Sequence, residues 1–179
     1  MKLKKFSIFA VIALLKSNLS LAGCPDMLNH EFKKLHSSET VDLCMTSNAK
    51  AILFVNTASH CGFTSQFKEL EALHREFAPK GLLVMGFPSN DFRQEASEEE
   101  KVAQVCYINY GVTFDMTAPI SVRGDDAHPL FQFLAEESSQ PRWNFNKYLY
   151  DPINQTVIHY DAATNPQSDQ ITTAIESLL

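Results

Sequence analysis

Cys61 is the residue of this chain whose surroundings most clearly suggest chemistry. It stands in the segment 56–64 (NTASHCGFT), between an apolar run and a segment of helical pattern. A thiol at the carboxyl end of a buried strand, beside a helix N-terminus, lies near backbone N–H groups and the positive end of the helix dipole, which favour the thiolate. A thiolate can attack the O–O bond of a peroxide and become a sulfenic acid. The same position also suits a buried, inert cysteine, so both interpretations stay open on position alone.

A βαβ unit is predicted around this cysteine. The apolar runs 50–56 and 82–87 have the length of buried strands, and the residues from Gln66 to Phe77 carry apolar side chains at helical spacing. Gly81 ends the helix. Two strands joined in this way are expected to be parallel, with a right-handed crossover. Cys61 then lies in the loop that follows the first strand.

The rest of the chain is predicted to alternate short helices and strands. Ser97, followed by three glutamates, is the predicted N-cap of a helix that runs to about Tyr110. The later elements are a strand at 120–122, a helix at 129–136, a hairpin of 148–151 and 156–160, and a C-terminal helix from Pro166 with the apolar residues Ile171, Ile175 and Leu178 on one face. This order favours one small α/β sandwich.

Residues 1–22 have the pattern of a secretory signal peptide. Three of the first five residues are lysines, the apolar run 6–15 is too short to span a bilayer, and small residues around Ala22 suit cleavage. An N-terminal amphipathic helix is the alternative interpretation. The pattern predicts export to the periplasm, with a single folded domain over 23–179.

Two outcomes are open for Cys24, which would lie at the start of the exported chain. The residues 21–24 (LAGC) resemble a lipobox, in which the cysteine carries a lipid anchor to a membrane. After ordinary cleavage behind Ala22, Cys24 could instead form a disulfide with Cys44, because an oxidising compartment permits such pairing.

Composition and charge exclude some classes of function. With 179 residues and 45% hydrophobic content, the chain can fill one core. Its formal charge of −6 becomes about −10 without residues 1–22, which carry four lysines and no acid. Such a chain is not attracted to phosphate backbones, so no nucleic-acid partner is expected. The histidines at 36, 74, 128 and 159 lack the spacing of metal ligands, and no metal is expected.

Several separated motifs together resemble those of the glutathione peroxidases. The segment 56–64 resembles their peroxidatic-cysteine motif, with cysteine in the place that selenocysteine takes in some animal members. The further matches, in the same order, are GFPSNDF at 86–92, QE at 94–95, YGVTF at 110–114, AHPL at 127–130 and WNF at 143–145. The resemblance covers about 41–179. It implies an α/β thioredoxin-like fold, with a central mixed sheet flanked by helices.

The active site implied by the resemblance consists of Cys61, Gln94, Trp143 and Asn144. The side-chain amides of Gln94 and Asn144 and the indole N–H of Trp143 can donate hydrogen bonds where negative charge develops on a departing peroxide oxygen. Without the resemblance, Trp143 would be interpreted as an aromatic residue of the core or of a surface groove, and Asn144 as a turn residue. The resemblance implies no cofactor.

The chain departs from the family in the loop that carries Gln94. The family usually has Phe-Gly-x-Gln-Glu-Pro-Gly there, whereas this chain has FRQEAS at 92–97, one residue shorter and without the glycine and the proline. The path of the loop must therefore differ. Arg93 could lean toward the thiolate instead, which would lower the pKa of Cys61.

Cys106 resembles the resolving cysteine of the thioredoxin-dependent members. A sulfenic acid on Cys61 can condense with this second thiol to give a disulfide. Thr64 occupies the place of the second cysteine of a Cys-x-x-Cys motif, so resolution cannot be local. Because Cys61 and Cys106 lie on different elements, the helix of Cys106 would have to unwind or shift. The alternative is that Cys106 is simply buried on an apolar helix face.

The expected partners follow from this reading. The substrates would be hydrogen peroxide and organic or lipid hydroperoxides, and the reductant a thioredoxin-like protein or glutathione. The stretch 134–143 is short where tetrameric animal members carry an extra loop, so a monomer, or at most a dimer, is expected. A redox sensor or relay, in which oxidised Cys61 passes its disulfide to a partner protein, is the alternative function. A copper chaperone is disfavoured because 61–64 lacks a close pair of cysteines.

Overall fold

The computed structural model describes residues 24–46 and 48–179. The predicted signal peptide, its cleavage site and the alternative helix all lie in 1–22, outside the described residues. In chain order the strands and α-helices are β1 (Glu31–Lys33), β2 (Thr40–Asp42), β3 (Ala51–Thr57), α1 (Gln66–Phe77), β4 (Leu82–Pro88), α2 (Glu99–Ala103), β5 (Asp115–Met116), α3 (Pro129–Glu137), β6 (Lys147–Asp151), β7 (Thr156–Tyr160) and α4 (Asp169–Glu176). The short helical turns are 3-10 helices at Asp26–Leu28, Cys44–Thr46 and Ala78–Lys80 and a π-helix at Gln104–Asn109.

The centre of the fold is a mixed five-stranded sheet in the order β5-β4-β3-β6-β7. Strand β3 pairs in parallel with β4 and antiparallel with β6, and β6 and β7 form the hairpin that the sequence predicted. A separate two-stranded sheet of β1 and β2 was not predicted.

Helices cover both faces of this sheet. As a result, β3 is buried on both sides along its whole length. Leu53 and Val55 face one core, which contains the apolar faces of α1 and α4. Ile52 and Phe54 face the other core, which is closed by α3. The alternation follows from the two-residue period of a strand, and a strand buried on both faces reads as a continuous apolar run. The predicted central mixed sheet flanked by helices is therefore confirmed.

Two predicted elements are wrong in position. The segment 120–122 is not a strand; β5 at Asp115–Met116 is the edge strand instead. The backbone N–H of Val122 donates to the Asp91 carboxylate at 2.6 Å rather than to a neighbouring strand, so its burial comes from packing in a loop. The C-terminal helix begins at Asp169 behind Ser168, three residues later than Pro166, and Leu178 lies beyond its end.

The helix predicted from Ser97 is also different from the expectation. It begins at Glu99, its N-cap position is Glu98, and no side chain caps it. Ser97 is exposed and the prediction that it is the N-cap is wrong. The α-helix then ends at Ala103 and continues as the π-helix, which carries Cys106.

Cys24 and Cys44 form a disulfide, with their Cα atoms 5.5 Å apart. It ties the start of the described chain to the 3-10 helix at Cys44–Thr46. Of the two outcomes left open for Cys24, the structure has the disulfide. None of the helices in 24–46 and 48–179 combines the length and the apolar character needed to cross a bilayer.

Candidate active site

Three loops meet at the carboxyl ends of β3 and β4. The two strands are parallel and end side by side, with Thr57 opposite Pro88. The loop after β3 is joined to the loop after β4 by the His60 N–H, which donates to the Gln94 carbonyl at 2.9 Å. The third loop precedes β6 and is joined to β3 by the Phe145 N–H, which donates to the Asn56 carbonyl at 2.6 Å. These backbone bonds bring together residues that are up to about ninety positions apart in sequence.

Cys61 lies in the first of these loops, in the turn that leads into α1. Its side chain is buried, with 4% of the residue exposed, and it borders the core beneath α1. The Phe63 N–H donates to Sγ at 3.4 Å, and this is the one hydrogen bond to the sulfur from any described residue. The thiol is free rather than disulfide-bonded. Cys61 therefore lies between β3 and α1, as the sequence predicted.

Gln94 and Asn144 contact each other through their side chains. The Asn144 amide donates from Nδ2 to Gln94 Oε1 at 3.0 Å. Asn144 is fully buried, and its Oδ1 has no partner among the described residues. Each amide carries two N–H donors and the bond between them uses one of the four, so three remain without a partner among the described residues in either orientation of the amides. The two predicted residues are thus brought together, although neither donates to the sulfur of Cys61.

The short loop before Gln94 turns at Arg93, which has a positive φ of 57°. A left-handed backbone conformation is one that glycine adopts without steric cost and arginine does not. The Arg93 side chain is exposed and makes no hydrogen bond or ion pair with a described residue, so the alternative in which it leans toward the thiolate is not what the structure has. The loop makes this turn at a strained arginine rather than at a glycine.

Trp143 lies on the surface beside this loop. It is 41% exposed, so it is not a core residue, and its ring packs against Phe92 with centroids 5.5 Å apart. The indole N–H makes no hydrogen bond within the described part of the chain, which leaves it free to donate to a bound molecule. Trp143 is the single tryptophan of the sequence.

Glu95 is a residue of this site to which the sequence analysis gave no role. Its Oε1 accepts hydrogen bonds from the backbone N–H groups of Ser59 and Ala96, both at 3.0 Å, while Oε2 is buried with no partner among the described residues. Burial raises the pKa of the carboxyl, and the hydrogen bonds from Ser59 oppose this. Glu95 therefore fastens the Gln94 loop to the Cys61 loop. The QE motif at 94–95 contained it, but spacing alone did not suggest its contact with Ser59.

Cys106 lies in the π-helix Gln104–Asn109 and is 1% exposed. Burial raises the pKa of its thiol to about 12, and the negative charge of nearby Glu95 adds to this. The thiol is therefore protonated at neutral pH. Cys61 and Cys106 belong to the same core but are both free thiols. The expectation that the helix of Cys106 must move before the two sulfurs can bond stays a prediction.

The described residues contain no cluster of three or more His, Cys, Asp or Glu side chains that could hold a metal. His60 is exposed, with its Nδ1 3.1 Å from the Ser59 hydroxyl. The arrangement combines two thiols with neutral donors that have no partner among the described residues, and such groups can carry out two-electron thiol chemistry.

Several known proteins are similar to this chain in sequence and in fold. The family model described as glutathione peroxidase matches residues 28–135. The glutathione peroxidase-like peroxiredoxin gpx1 of Schizosaccharomyces pombe is 42% identical over 136 residues, which cover 73% of this chain and 85% of that protein. The glutathione peroxidase of Lactococcus lactis is 42% identical over 137 residues, covering 73% and 87%. The solved structure of Trgpx in its apo form is 31% identical and covers 84% of this chain and 95% of its own, with a TM-score of 0.63.

Proposed function

The chain belongs to the glutathione peroxidase family, with the thioredoxin-like fold of its relatives, and we propose that it is a thiol peroxidase whose catalytic sulfur is that of Cys61. In the first step the Cys61 thiolate attacks the terminal oxygen of ROOH. The O–O bond breaks, the sulfur becomes a sulfenic acid, and the leaving alkoxide takes a proton to give ROH. The substrates we propose are hydrogen peroxide and organic or lipid hydroperoxides.

The observation that carries this proposal is the meeting of the Cys61, Gln94 and Trp143 loops at one edge of the sheet. Gln94 and Asn144 share a single hydrogen bond and so retain an unpaired amide N–H, and the indole N–H of Trp143 is also unpaired within the described residues. Donors held in place before the reaction stabilise the charge that develops on the departing oxygen. Trp143 and Asn144 lie beyond the residues that the family model matches, so their roles rest on this geometry and on the WNF motif.

The second step we propose uses Cys106. Its thiol attacks the sulfenic sulfur of Cys61, an S–S bond forms, and the hydroxyl leaves as water with the proton of the attacking thiol. A thioredoxin-like protein or glutathione then supplies two thiols, which reduce the disulfide and are themselves oxidised to one. Because Cys106 is buried and protonated in the resting fold, the π-helix must open before this step.

We further propose that the protein is exported and acts as a monomer in the periplasm. The basic and apolar residues of 1–22 support export. The Cys24–Cys44 disulfide supports an oxidising compartment and disfavours the lipid anchor at Cys24, because a sulfur held in a disulfide has no free thiol to acylate or alkylate. The short stretch 134–143 supports the monomer.

The test is peroxide consumption by recombinant 23–179 with a thioredoxin-like reductant or glutathione. The substitution Cys61→Ser is expected to abolish consumption of hydrogen peroxide and cumene hydroperoxide. Cys106→Ser is expected to leave the first turnover intact, measured as one equivalent of peroxide consumed, and to prevent recycling by the thioredoxin-like protein. Undiminished consumption by the Cys61→Ser protein would rule out the proposed mechanism.

A redox relay is the second candidate, and the burial of Cys106 favours it. If Cys106 is slow to leave the core, the sulfenic acid of Cys61 persists and can react with a thiol on a partner protein instead. Trapping with thiol-reactive reagents after a peroxide pulse distinguishes the two functions. A relay gives mixed disulfides between Cys61 and another protein in the wild type, whereas a self-resolving peroxidase gives the Cys61–Cys106 disulfide.

A further inference from the structure

The backbone carbonyl of Trp143 accepts two side-chain hydrogen bonds. Asn56, near the end of β3, donates from Nδ2 at 2.9 Å, and Asn146, directly before β6, donates from Nδ2 at 2.7 Å. Both asparagines are buried, with no more than 1% exposed. Asn56 also accepts the Asn146 N–H on its Oδ1 at 3.0 Å. The peptide that joins Trp143 to Asn144 is therefore held both by β3 and by the residue that directly precedes β6.

This segment needs such support because Phe145, which follows Asn144, has a positive φ of 65°. A bulky residue in the left-handed region is strained and persists only where its surroundings fix it. Phe145 is fully buried against Phe67, with ring centroids 5.1 Å apart. The backbone turn at Phe145 lies between the anchored Trp143 carbonyl and strand β6, so the same bonds that hold the carbonyl stabilise the turn.

His159 on β7 orients Asn146. Its Nε2 lies 2.7 Å from Asn146 Oδ1, and its Nδ1 lies 2.9 Å from the Ser139 hydroxyl. The Asn146 amide must point its nitrogen at the Trp143 carbonyl, because a carbonyl can only accept, and its oxygen then faces the imidazole. His159 therefore carries its proton on Nε2, and in the neutral ring Nδ1 accepts from the Ser139 hydroxyl.

The surroundings of His159 keep this arrangement in place. Its ring stacks on Tyr148 with centroids 4.7 Å apart, and the Tyr148 hydroxyl donates to the Ser139 carbonyl at 3.0 Å. Burial lowers the pKa of the imidazole; Asp161 opposes this, and the positive charges of Arg142 and Lys147 add to it. The Nε2–H that the bond to Asn146 requires is present in the neutral ring, and the environment favours the neutral ring.

We propose that Asn146 and His159 are positioning residues for the peroxidase reaction, acting through the Trp143 carbonyl to set the directions of the Trp143 indole and the Asn144 amide. Neither side chain hydrogen-bonds Cys61, and each acts through Trp143 and Asn144. The proposal rests on the function proposed for Cys61 and extends it to a hydrogen-bonded path from β7 to the donor loop. Nothing in the motifs suggested it, because Asn56, Asn146 and His159 meet only in the folded sheet.

The test compares two substitutions at one position. His159→Phe keeps an aromatic ring to stack on Tyr148 and removes the donor to Asn146, whereas His159→Gln keeps an amide N–H donor. We expect His159→Phe to slow the reaction of Cys61 with hydrogen peroxide, measured in the pre-steady state, by about tenfold or more. We expect His159→Gln to recover the rate to within about threefold of the wild type. Ile158→Gln, at the neighbouring exposed position of β7, is the matched control and is expected to have the wild-type rate.

Fluorescence gives a second readout that does not depend on turnover, because Trp143 is the chain's single tryptophan. The emission of Trp143 is expected to shift in His159→Phe and in Asn146→Ala but not in Ile158→Gln. The double variant is expected to lose no more rate than the more affected single variant, because both changes interrupt one path. If His159→Phe does not fold, Asn146→Ala decides the question by the same two measurements.

Wild-type rates and emission in folded His159→Phe or Asn146→Ala would overturn the proposal, as would a shifted emission with an unchanged rate. A wild-type protein that does not react with peroxide would instead overturn the function proposed for Cys61, so the two failures are distinguishable.

Discussion

The two free cysteines differ in what their surroundings do to the thiol. Cys61 lies in a turn and accepts a backbone N–H, whereas Cys106 is enclosed in apolar packing with a carboxylate nearby. The pKa of Cys106 rises from 9.0 to about 12, and at a pH below both values a rise of three units lowers the thiolate fraction about a thousandfold. In the resting fold Cys106 is therefore a poor nucleophile, which protects it from direct oxidation.

This difference predicts the alkylation of Cys106. In a Cys61→Ser background at pH 8, iodoacetamide is expected to modify Cys106 about a thousandfold more slowly in the folded protein than in urea, because the thiolate is the reacting form. Intact mass against time gives both rates, and the Cys24–Cys44 disulfide keeps the other two cysteines out of the reaction. Similar rates in the two states would mean that Cys106 is accessible in the folded protein and keeps its ordinary pKa.

Arg93 gives a second prediction at this scale. Its left-handed backbone costs arginine about 1–2 kcal/mol, whereas the flexibility of glycine in the unfolded chain costs about 0.5–1 kcal/mol. Arg93→Gly is therefore expected to raise the free energy of unfolding by about 0.5 kcal/mol in urea titrations. Arg123→Gly, at another loop arginine whose φ is not positive, is the control and is expected to lower it. A loss of stability in Arg93→Gly would show that the loop is not strained at this residue.

At the scale of elements, the sequence predicted those parts of the fold whose pattern is local. The runs 50–56 and 82–87 are apolar because β3 and β4 are buried on both faces, and α1 has the predicted bounds because its apolar spacing is regular. The prediction of a strand at 120–122 was wrong because the residues suit a strand, while the Val122 N–H bonds the Asp91 side chain. The π-helix leaves no simple periodic signal, since it adds one residue per turn to an otherwise helical pattern.

The residues of the candidate site could likewise be predicted only where a local pattern or a motif marked them. Cys61 followed from its place after a strand, and Gln94, Trp143 and Asn144 followed from motifs that resemble those of one family. The support given by Glu95, Asn146 and His159 was not predicted, because it depends on contacts between residues distant in sequence. Side-chain hydrogen bonds of this kind are set by the register of β3, β6 and β7, which the sequence pattern does not encode locally.

The π-helix Gln104–Asn109 is the element that must move if Cys106 resolves Cys61. Its exposed Ile108 and half-buried Tyr107 contribute less to the core than the apolar face of α1 does. We expect the amide hydrogens of 104–109 to exchange faster than those of α1 at Gln66–Phe77, and faster still after one equivalent of peroxide. Hydrogen exchange followed by mass spectrometry of peptides measures both. If 104–109 were as protected as α1 while a Cys61–Cys106 disulfide formed, the disulfide would have to form by another movement.

At the scale of the whole molecule, Lys147 joins the sheet to the C-terminal part of the chain. Its residue is fully buried in β6, and Nζ donates to the carbonyls of Ala162 at 3.1 Å and Thr164 at 2.7 Å. Burial lowers the pKa of the ammonium from 10.5 to about 7, and the negative charges of Glu69 and Asp161 oppose the shift. The amine of Lys147 therefore binds its proton less tightly in the folded protein than in the unfolded chain.

The sign of this shift predicts how stability depends on pH. Between pH 7 and 10.5 the unfolded chain binds more protons at Lys147 than the folded protein does, so the free energy of unfolding rises with pH in this window, by at most about 1.4 kcal/mol per pH unit. Above pH 9 the raised pKa of Cys106 acts in the opposite direction, so the clearest interval is pH 7 to 9. Urea titrations of the Cys61→Ser protein at several pH values measure the slope.

Lys147→Met loses both hydrogen bonds and is expected to be less stable at pH 9, but its stability should vary little over the same interval. An equal slope in Lys147→Met would assign the pH dependence to other groups and would mean that Lys147 keeps its ordinary pKa in the fold.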